Sequence, residues 1–122
     1  SYAMERKQFG QRIADFQLVQ AMLADSKVDL LTIEALLERV ARRFDSGDKV
    51  SLECSALKYH ASEAVGRIAD RAVQIFGGAG YMADSKVERF YRDVRLFRIY
   101  EGTSQIQQTI IARNMLRAAE AE

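Results

Sequence analysis

Residues 99–107, Ile-Tyr-Glu-Gly-Thr-Ser-Gln-Ile-Gln, are where this chain concentrates groups able to do chemistry. Glu101 is a carboxylate, a side chain that removes protons when it is held close to them and shielded from water. Gly102 next to it has no side chain, so a ligand can come close to the backbone there. Ser104 and Gln107 have the S-x-x-Q spacing of a capping box, and Thr103 is a second candidate cap. Ile106, Ile110, Ile111, Met115 and Leu116 follow at helical spacing. The spacing predicts a carboxylate in a short segment that leads into a capped helix. Such an arrangement presents a general base, or it is an ordinary acidic residue at a helix N-terminus, where negative charge is favoured. The motif by itself leaves both readings open.

A second candidate is Gln74-Ile75-Phe76-Gly77-Gly78-Ala79-Gly80. No strand precedes it and no Gly-Lys-Ser/Thr follows, so it is neither a Rossmann fingerprint nor a P-loop. The ordinary reading is a helix C-cap and turn, where glycine supplies a positive φ. Three glycines in four residues exceed what a cap needs and leave room for a ligand against the backbone. Arg6-Lys7-Gln8-Phe9-Gly10 is either a helix end closed by glycine or a guanidinium placed to grip a phosphate. Lys86, Arg89, Arg92, Arg95 and Arg98 recur every third residue. They drift by about 60° per step around a helix, so they do not share a face. With Glu88 and Asp93 among them, they read as solvated or paired rather than as a nucleic-acid stripe. His60 is the one histidine and has no partner at ligand spacing, and no Cys, His and carboxylate cluster suggests a metal. Cys54, among small and apolar neighbours, reads as a small core residue.

The elements that must position these groups are helical. The 122 residues suffice for one domain, and 48% hydrophobic with 29% charged residues excludes disorder. A net charge of +1 gives no bulk field for nucleic acid or an anionic membrane. A single cysteine excludes an internal disulfide and fits a reducing compartment, cytoplasm or mitochondrial matrix. No apolar run is long enough to span a bilayer, and no signal-peptide pattern opens the chain. Phe16, Val19, Leu23, Ser26, Leu30, Ile33, Leu37, Val40 and Phe44 alternate by threes and fours, an a/d stripe that Asp45-Ser46-Gly47-Asp48 ends. A second helix is predicted from about Val50 to Phe76, rich in small residues that let a neighbouring backbone approach. A third is predicted over about Ser85–Arg95, opened by the capping box Ser85-x-x-Glu88, and a last over Ser104–Ala119. Nothing alternates with a period of two, so no sheet is expected. The fold class is all-α, an antiparallel up-and-down helical bundle. Ser1–Lys7 reads as the tail of a helix whose body lies upstream. A bundle without that wall exposes an apolar groove and is expected to self-associate or exchange elements.

Five motifs in register add a resemblance: Glu5–Gly10, Asp15-Phe16-Gln17, Ala72–Tyr81, Tyr91-Arg92-Asp93 and Ile99–Gln107. In order and spacing, across nearly the whole chain, they resemble the C-terminal helical domain of the acyl-CoA dehydrogenases. That family desaturates acyl-CoA thioesters at the α,β bond using FAD. The resemblance implies that Glu101 is the base that takes the α-proton, with the β-hydrogen leaving as hydride. Gly102 would let the thioester lie against the backbone. Some members carry the base on an upstream helix instead; an acid at position 101 resembles the commoner class.

The same resemblance assigns cofactor contacts. Arg6 matches an arginine on the FAD pyrophosphate, reaching from a neighbouring subunit, and Gln17 matches a second FAD contact. Gln74, Ile75, Phe76, Gly77 and Gly78 match contacts to the adenosine half, again across a subunit interface. Thr103, Ser104 and Gln105 match contacts at the start of the last helix, whose free N–H groups suit a phosphate. Arg92-Asp93 matches a structural pair, and Lys86 stands where many relatives have proline. The implied partners are an acyl-CoA substrate, a second copy of the chain in a dimer or tetramer with FAD between subunits, and an electron-transfer flavoprotein as acceptor. The family's N-terminal helical domain and middle β-domain do not occur in these 122 residues, so the chain by itself is expected to bind FAD weakly or not at all and to be inactive. Two alternatives remain at this point: an oxidase or monooxygenase of the same superfamily, and a helical interaction module without catalysis.

Overall fold

Two long antiparallel helices form the frame of the computed structural model, which describes residues 1–121. They are α2 (Gln17–Asp45) and α3 (Ser51–Phe76). Before them come a single helical turn, α1 (Tyr2–Glu5), and a two-stranded ribbon, β1 (Lys7–Gln8) with β2 (Gln11–Arg12). After them come the turn α4 (Gly78–Tyr81), α5 (Lys86–Val94) and α6 (Ser104–Ala119). The bundle is all-α apart from the ribbon. Its strands pair Lys7 with Arg12 and Gln8 with Gln11 around Phe9 (φ 52) and Gly10 (φ 81). Two consecutive left-handed residues make the tight turn whose twist suits a hairpin. Strands two residues long show no period of two, so the ribbon departs from the expectation of no sheet.

Charged pairs set the register of α2 against α3. Arg43 pairs with Glu53 and Asp48 near the turn, where Gly47 takes φ 84. Farther along, Asp29 accepts from Arg67 at 2.7 Å and from Arg71 at 2.7 Å. The buried residues of α3 are all small: Ser55, Ser62, Ala64 and Ala69. That lets α2, α5 and α6 each pack directly on it. Cys54 is exposed on the outer side of α3, not in the core, because the inward row runs through its neighbour Ser55.

The apolar stripe of α2 divides in two. Met22, Ser26, Asp29, Ile33, Leu36 and Val40 are partly or fully buried, whereas Leu23, Leu30, Leu37 and Phe44 are 41–68% exposed. Only part of the predicted a/d face meets α3, and the rest forms the expected exposed apolar face. On α6, Ser104 and Gln107 are buried and Ile110, Ile111 and Asn114 half-buried, whereas Ile106, Met115 and Leu116 stay exposed. α5 begins one residue after Ser85, but Ser85 makes no side-chain cap. The predicted box is not formed because Glu88 is held by Arg92 at 2.8 Å, one helical turn on. Arg89 likewise pairs with Asp93 and Arg98 with Glu63, so three of the five basic residues are engaged in ion pairs rather than presented as a stripe. No helix among the described residues is long and apolar enough to cross a membrane.

Asp29 gives a test of the frame. Hydrogen bonding to Arg67 opposes the cost of its burial, and with help from Arg71 its carboxyl is held down from 3.8 to about 2. A lowered folded pKa stabilises the fold above the unfolded value and is lost as pH falls through the folded one. Asp29→Asn should therefore cost on the order of 1–2 kcal/mol at neutral pH, after allowance for solvent around the pair. In chemical denaturation at several pH values, the difference from wild type should shrink between pH 3.8 and about 2.

Candidate active site

The segment between α5 and α6 runs through a 3₁₀ turn (Arg95–Arg98) into two consecutive left-handed residues, Glu101 (φ 52) and Gly102 (φ 86). Glycine accepts that conformation freely, but for a glutamate it costs on the order of 1–3 kcal/mol and must be held from outside. The Lys58 ammonium on α3 donates to the Phe97 carbonyl at 2.8 Å and to the Gly102 carbonyl at 2.6 Å. The Gln107 amide donates to the Glu101 carbonyl at 3.2 Å and the Gly102 carbonyl at 3.5 Å. Hydrogen bonds from a charged donor contribute about 1.5–3 kcal/mol each, so the Lys58 pair is enough to offset the strain. Gly102 is fixed twice over, by its φ and because a Cβ would stand 2.7 Å from the Gln107 amide nitrogen.

The cap of α6 is Thr103, whose hydroxyl accepts from the Ile106 N–H at 3.3 Å. The predicted Ser104–Gln107 box is not what forms. Ser104 is buried, and its hydroxyl donates to Glu63 of α3 at 2.7 Å. The other Glu63 oxygen accepts from Arg98 at 3.3 Å. Glu63 thus ties both ends of the segment to α3. The Arg98 guanidinium lies over Gly66, where a Cβ would come within 3.4 Å of it. Gln107 turns back onto carbonyls rather than onto the cap's N–H. Gln105 is exposed beside this helix start, and the Ser104 side chain is already occupied.

Glu101 lines a groove of about 500 Å³ together with Lys58, Ile33 of α2, Val65 of α3, and Phe97 and Tyr100. The Phe97 and Tyr100 rings stack at 5.8 Å between centroids. The groove is thus walled largely by aliphatic and aromatic groups, with one carboxylate at its edge. Among the described residues no ion pair engages that carboxylate. The arrangement suits removal of a proton from an apolar ligand with a weakly acidic C–H. Nothing local in the sequence marks Lys58 or Glu63 as part of this site. Their partners lie 39 and 44 residues away for Lys58, and 35 and 41 for Glu63.

The remaining candidates gather at the other end of α3. Tyr2 stacks on Phe76 with centroids 3.9 Å apart, and its hydroxyl donates to the Phe76 carbonyl at 3.4 Å. This brings the N-terminal segment with Arg6 to the C-terminal end of α3 and Gln74–Gly78. Gln17 opens α2 at the same end, since the two helices are antiparallel. Arg6, Gln17, Gln74, Gly77 and Gly78 are exposed, and Ile75 and Phe76 are half-buried. Sixteen residues of helix separate Lys58 from Gln74, about 24 Å at 1.5 Å per residue. The structure therefore forms two clusters, not one: Glu101, Gly102, Thr103 and Gln105 near the start of α6, and Arg6, Gln17 and Gln74–Gly78 far from them.

The glycines of the second cluster differ in what requires them. Gly77 ends α3 with φ 61. At Gly80 a Cβ would stand 2.6 Å from the Phe76 Cβ and 2.8 Å from the Val73 carbonyl oxygen. Gly78 has neither a positive φ nor any atom within 4 Å of a Cβ, so this chain's own packing does not demand it. Gly80→Ala should thus cost about 1–3 kcal/mol by overpacking. Gly102→Ala should cost about 1–2 kcal/mol in backbone strain. Gly78→Ala should fall within about 0.5 kcal/mol of wild type. Urea denaturation of the three variants checks the order.

Residues 1–116 match the family model described as acyl-CoA dehydrogenase, C-terminal domain. The chain is 48% identical over 116 residues to the caffeyl-CoA reductase-Etf complex subunit CarC of Acetobacterium woodii, which covers 95% of this chain and 31% of that protein. It is 33% identical, with a TM-score of 0.91, to butyryl-CoA dehydrogenase from Megasphaera elsdenii, over 94% of this chain and 30% of that one. The FAD complex of PigA is matched at 32% identity and a TM-score of 0.89, over 93% of this chain and 30% of that one. The chain spans about a third of the length of the curated relatives it matches. With its helical fold, its motifs in register and a family match over nearly its whole length, the chain belongs to the acyl-CoA dehydrogenase family, in which it corresponds to the C-terminal domain.

Proposed function

We propose that this chain is the C-terminal part of a flavoenzyme that moves two hydrogens across the α,β bond of an acyl-CoA thioester, with Glu101 as the group that takes the α-proton. The observation that carries this reading is the placement of Glu101: a residue in a strained left-handed conformation, its backbone segment held by Lys58 and Gln107, at the edge of a largely apolar groove. Strain of this kind persists where the surrounding structure over-determines it, and such places cluster at functional sites. An acyl chain lying along Phe97, Tyr100, Ile33 and Val65 would displace water from the carboxylate, which makes a carboxylate a stronger base. The thioester would lie beside Gly102, whose missing side chain leaves room for the Gln107 amide. In the reductive direction the same carboxyl would return the proton to the α-carbon, and the name of the Acetobacterium woodii relative, a reductase, favours considering that direction for this chain as well.

FAD, when bound, supplies the acceptor or donor of the hydride at the β-carbon. The residues present fit it. Gly78 leaves space that the fold itself does not need, Arg6 offers an exposed guanidinium, and Gln17 and Gln74 offer exposed amides beside it. At the other end of α3, Thr103 and Gln105 stand at the free N–H groups of α6. Clusters about 24 Å apart along one helix cannot close on one pyrophosphate from the same chain. That supports a homo-oligomer in which Arg6, Gln17 and Gln74–Gly78 serve the cofactor of a neighbouring copy. An electron-transfer flavoprotein as redox partner is supported by the name of the same relative, which places that protein in an Etf complex.

Glu101→Gln keeps the size and removes the base. In the full-length, FAD-loaded protein it should nearly abolish flavin reduction by acyl-CoA and exchange of the substrate α-proton with solvent deuterium. Stopped-flow absorbance and NMR exchange measure the two. Reduction and exchange at the wild-type rate would remove Glu101 from the mechanism.

A further inference from the structure

We propose that Lys58 is a positioning residue for Glu101: its ammonium holds the backbone on both sides of the base, at Phe97 and at Gly102, and so fixes where the carboxylate stands in the groove. The inference rests on the reading of Glu101 as the base. Lysines on long amphipathic helices ordinarily end in solvent with a free side chain. Lys58 does not. It reaches across to two carbonyls 39 and 44 residues away, at 2.8 and 2.6 Å. Those carbonyls bracket Glu101 in sequence, one four residues before it and the other immediately after it. The contacts around the segment divide the work. Glu63 pins its outer ends at Arg98 and Ser104, and Gln107 supports the Glu101 and Gly102 carbonyls from the α6 side. Lys58 is the side chain that spans the left-handed pair and also lines the groove that Glu101 borders. A compact ammonium with three donors on a four-carbon stem meets that demand, because two carbonyls approach it from different directions.

A base displaced by an ångström loses rate on the order of 100-fold while substrate still binds. The test uses the full-length, FAD-loaded protein and the acyl-CoA that reduces its flavin fastest. Lys58→Met keeps most of the stem and removes the donors. It should stay folded at the assay temperature with a lowered melting temperature, retain flavin content and affinity for that acyl-CoA, and reduce its flavin roughly 100-fold more slowly. Lys58→Cys should be equally slow. Aminoethylation with 2-bromoethylamine rebuilds an ammonium on a stem of similar length and should restore most of the rate, while the same treatment, which also alkylates the exposed Cys54, leaves the wild-type rate unchanged. Wild-type speed in Lys58→Met would overturn the proposal. So would a fully aminoethylated Lys58→Cys protein that stays slow, or a Lys58→Met protein that loses its flavin or its fold, since Lys58 would then be holding the domain rather than the base. Glu101→Gln in the same assay separates the two claims. If it reduces flavin at the wild-type rate, the reading of Glu101 fails; if it is inert while Lys58→Met is fast, only the Lys58 proposal fails.

Discussion

Close approach to α3 is the constraint on which the rest of this structure depends. The residues that α3 buries are Ser55, Ser62, Ala64 and Ala69, and Gly66 leaves a gap that the Arg98 guanidinium fills. Small side chains bring neighbouring backbones near, and nearness puts polar groups within hydrogen-bond range. Lys58 meets two carbonyls, Glu63 meets Ser104 and Arg98, and Arg67 and Arg71 meet Asp29 because of that spacing. A wider α3, with leucines at the buried positions, would push α6 and the residue 95–103 segment outward. Glu101 would then lose the supports that keep it in a left-handed conformation. No large side chain among the described residues is fully buried, so the bundle is held by a thin apolar seam together with these cross-helix polar contacts.

The same helix separates two kinds of chemistry. Near its first third it supports a carboxylate beside an aromatic-walled groove. At its far end it presents amides, an exposed glycine turn and, through the Tyr2–Phe76 stack, an arginine from the N-terminal segment. A rigid rod between the two fixes their separation. If each end serves a different copy of the cofactor, assembly of subunits and assembly of the active site are one event. The exposed half of the α2 stripe, with Leu23, Leu30, Leu37 and Phe44, is an apolar surface of the kind that marks protein interaction sites.

What the sequence made legible follows from the range of the interactions. Helix boundaries came out within a residue or two because their signals are local: Gly47 and Gly77 at the ends of α2 and α3, and a polar residue at the start of α6. Glu101 and Gly102 stood out for the same reason. Capping was misassigned at both predicted boxes, since tertiary partners took the side chains first. Glu63 claimed the Ser104 hydroxyl, and Arg92 claimed Glu88. Cys54 and half of the α2 stripe were placed inside because periodicity finds an apolar face without saying how many helices cover it. Lys58 and Glu63 were invisible, being ordinary charged residues on a helix until the fold brings in partners dozens of positions away. The family motifs added what local patterns could not, namely that several weak signals occur together in one order and spacing.

If Glu101 is the base, its carboxylate must stand at the reacting carbon. The direct measurement is a crystal structure of the full-length protein with FAD and a non-reducing acyl-CoA analogue bound. A Glu101 carboxylate oxygen is expected within about 3–3.5 Å of the analogue's α-carbon, with the acyl chain along Phe97 and Tyr100. A ligand bound elsewhere, or an α-carbon facing a different acid with Glu101 turned to solvent, would contradict it.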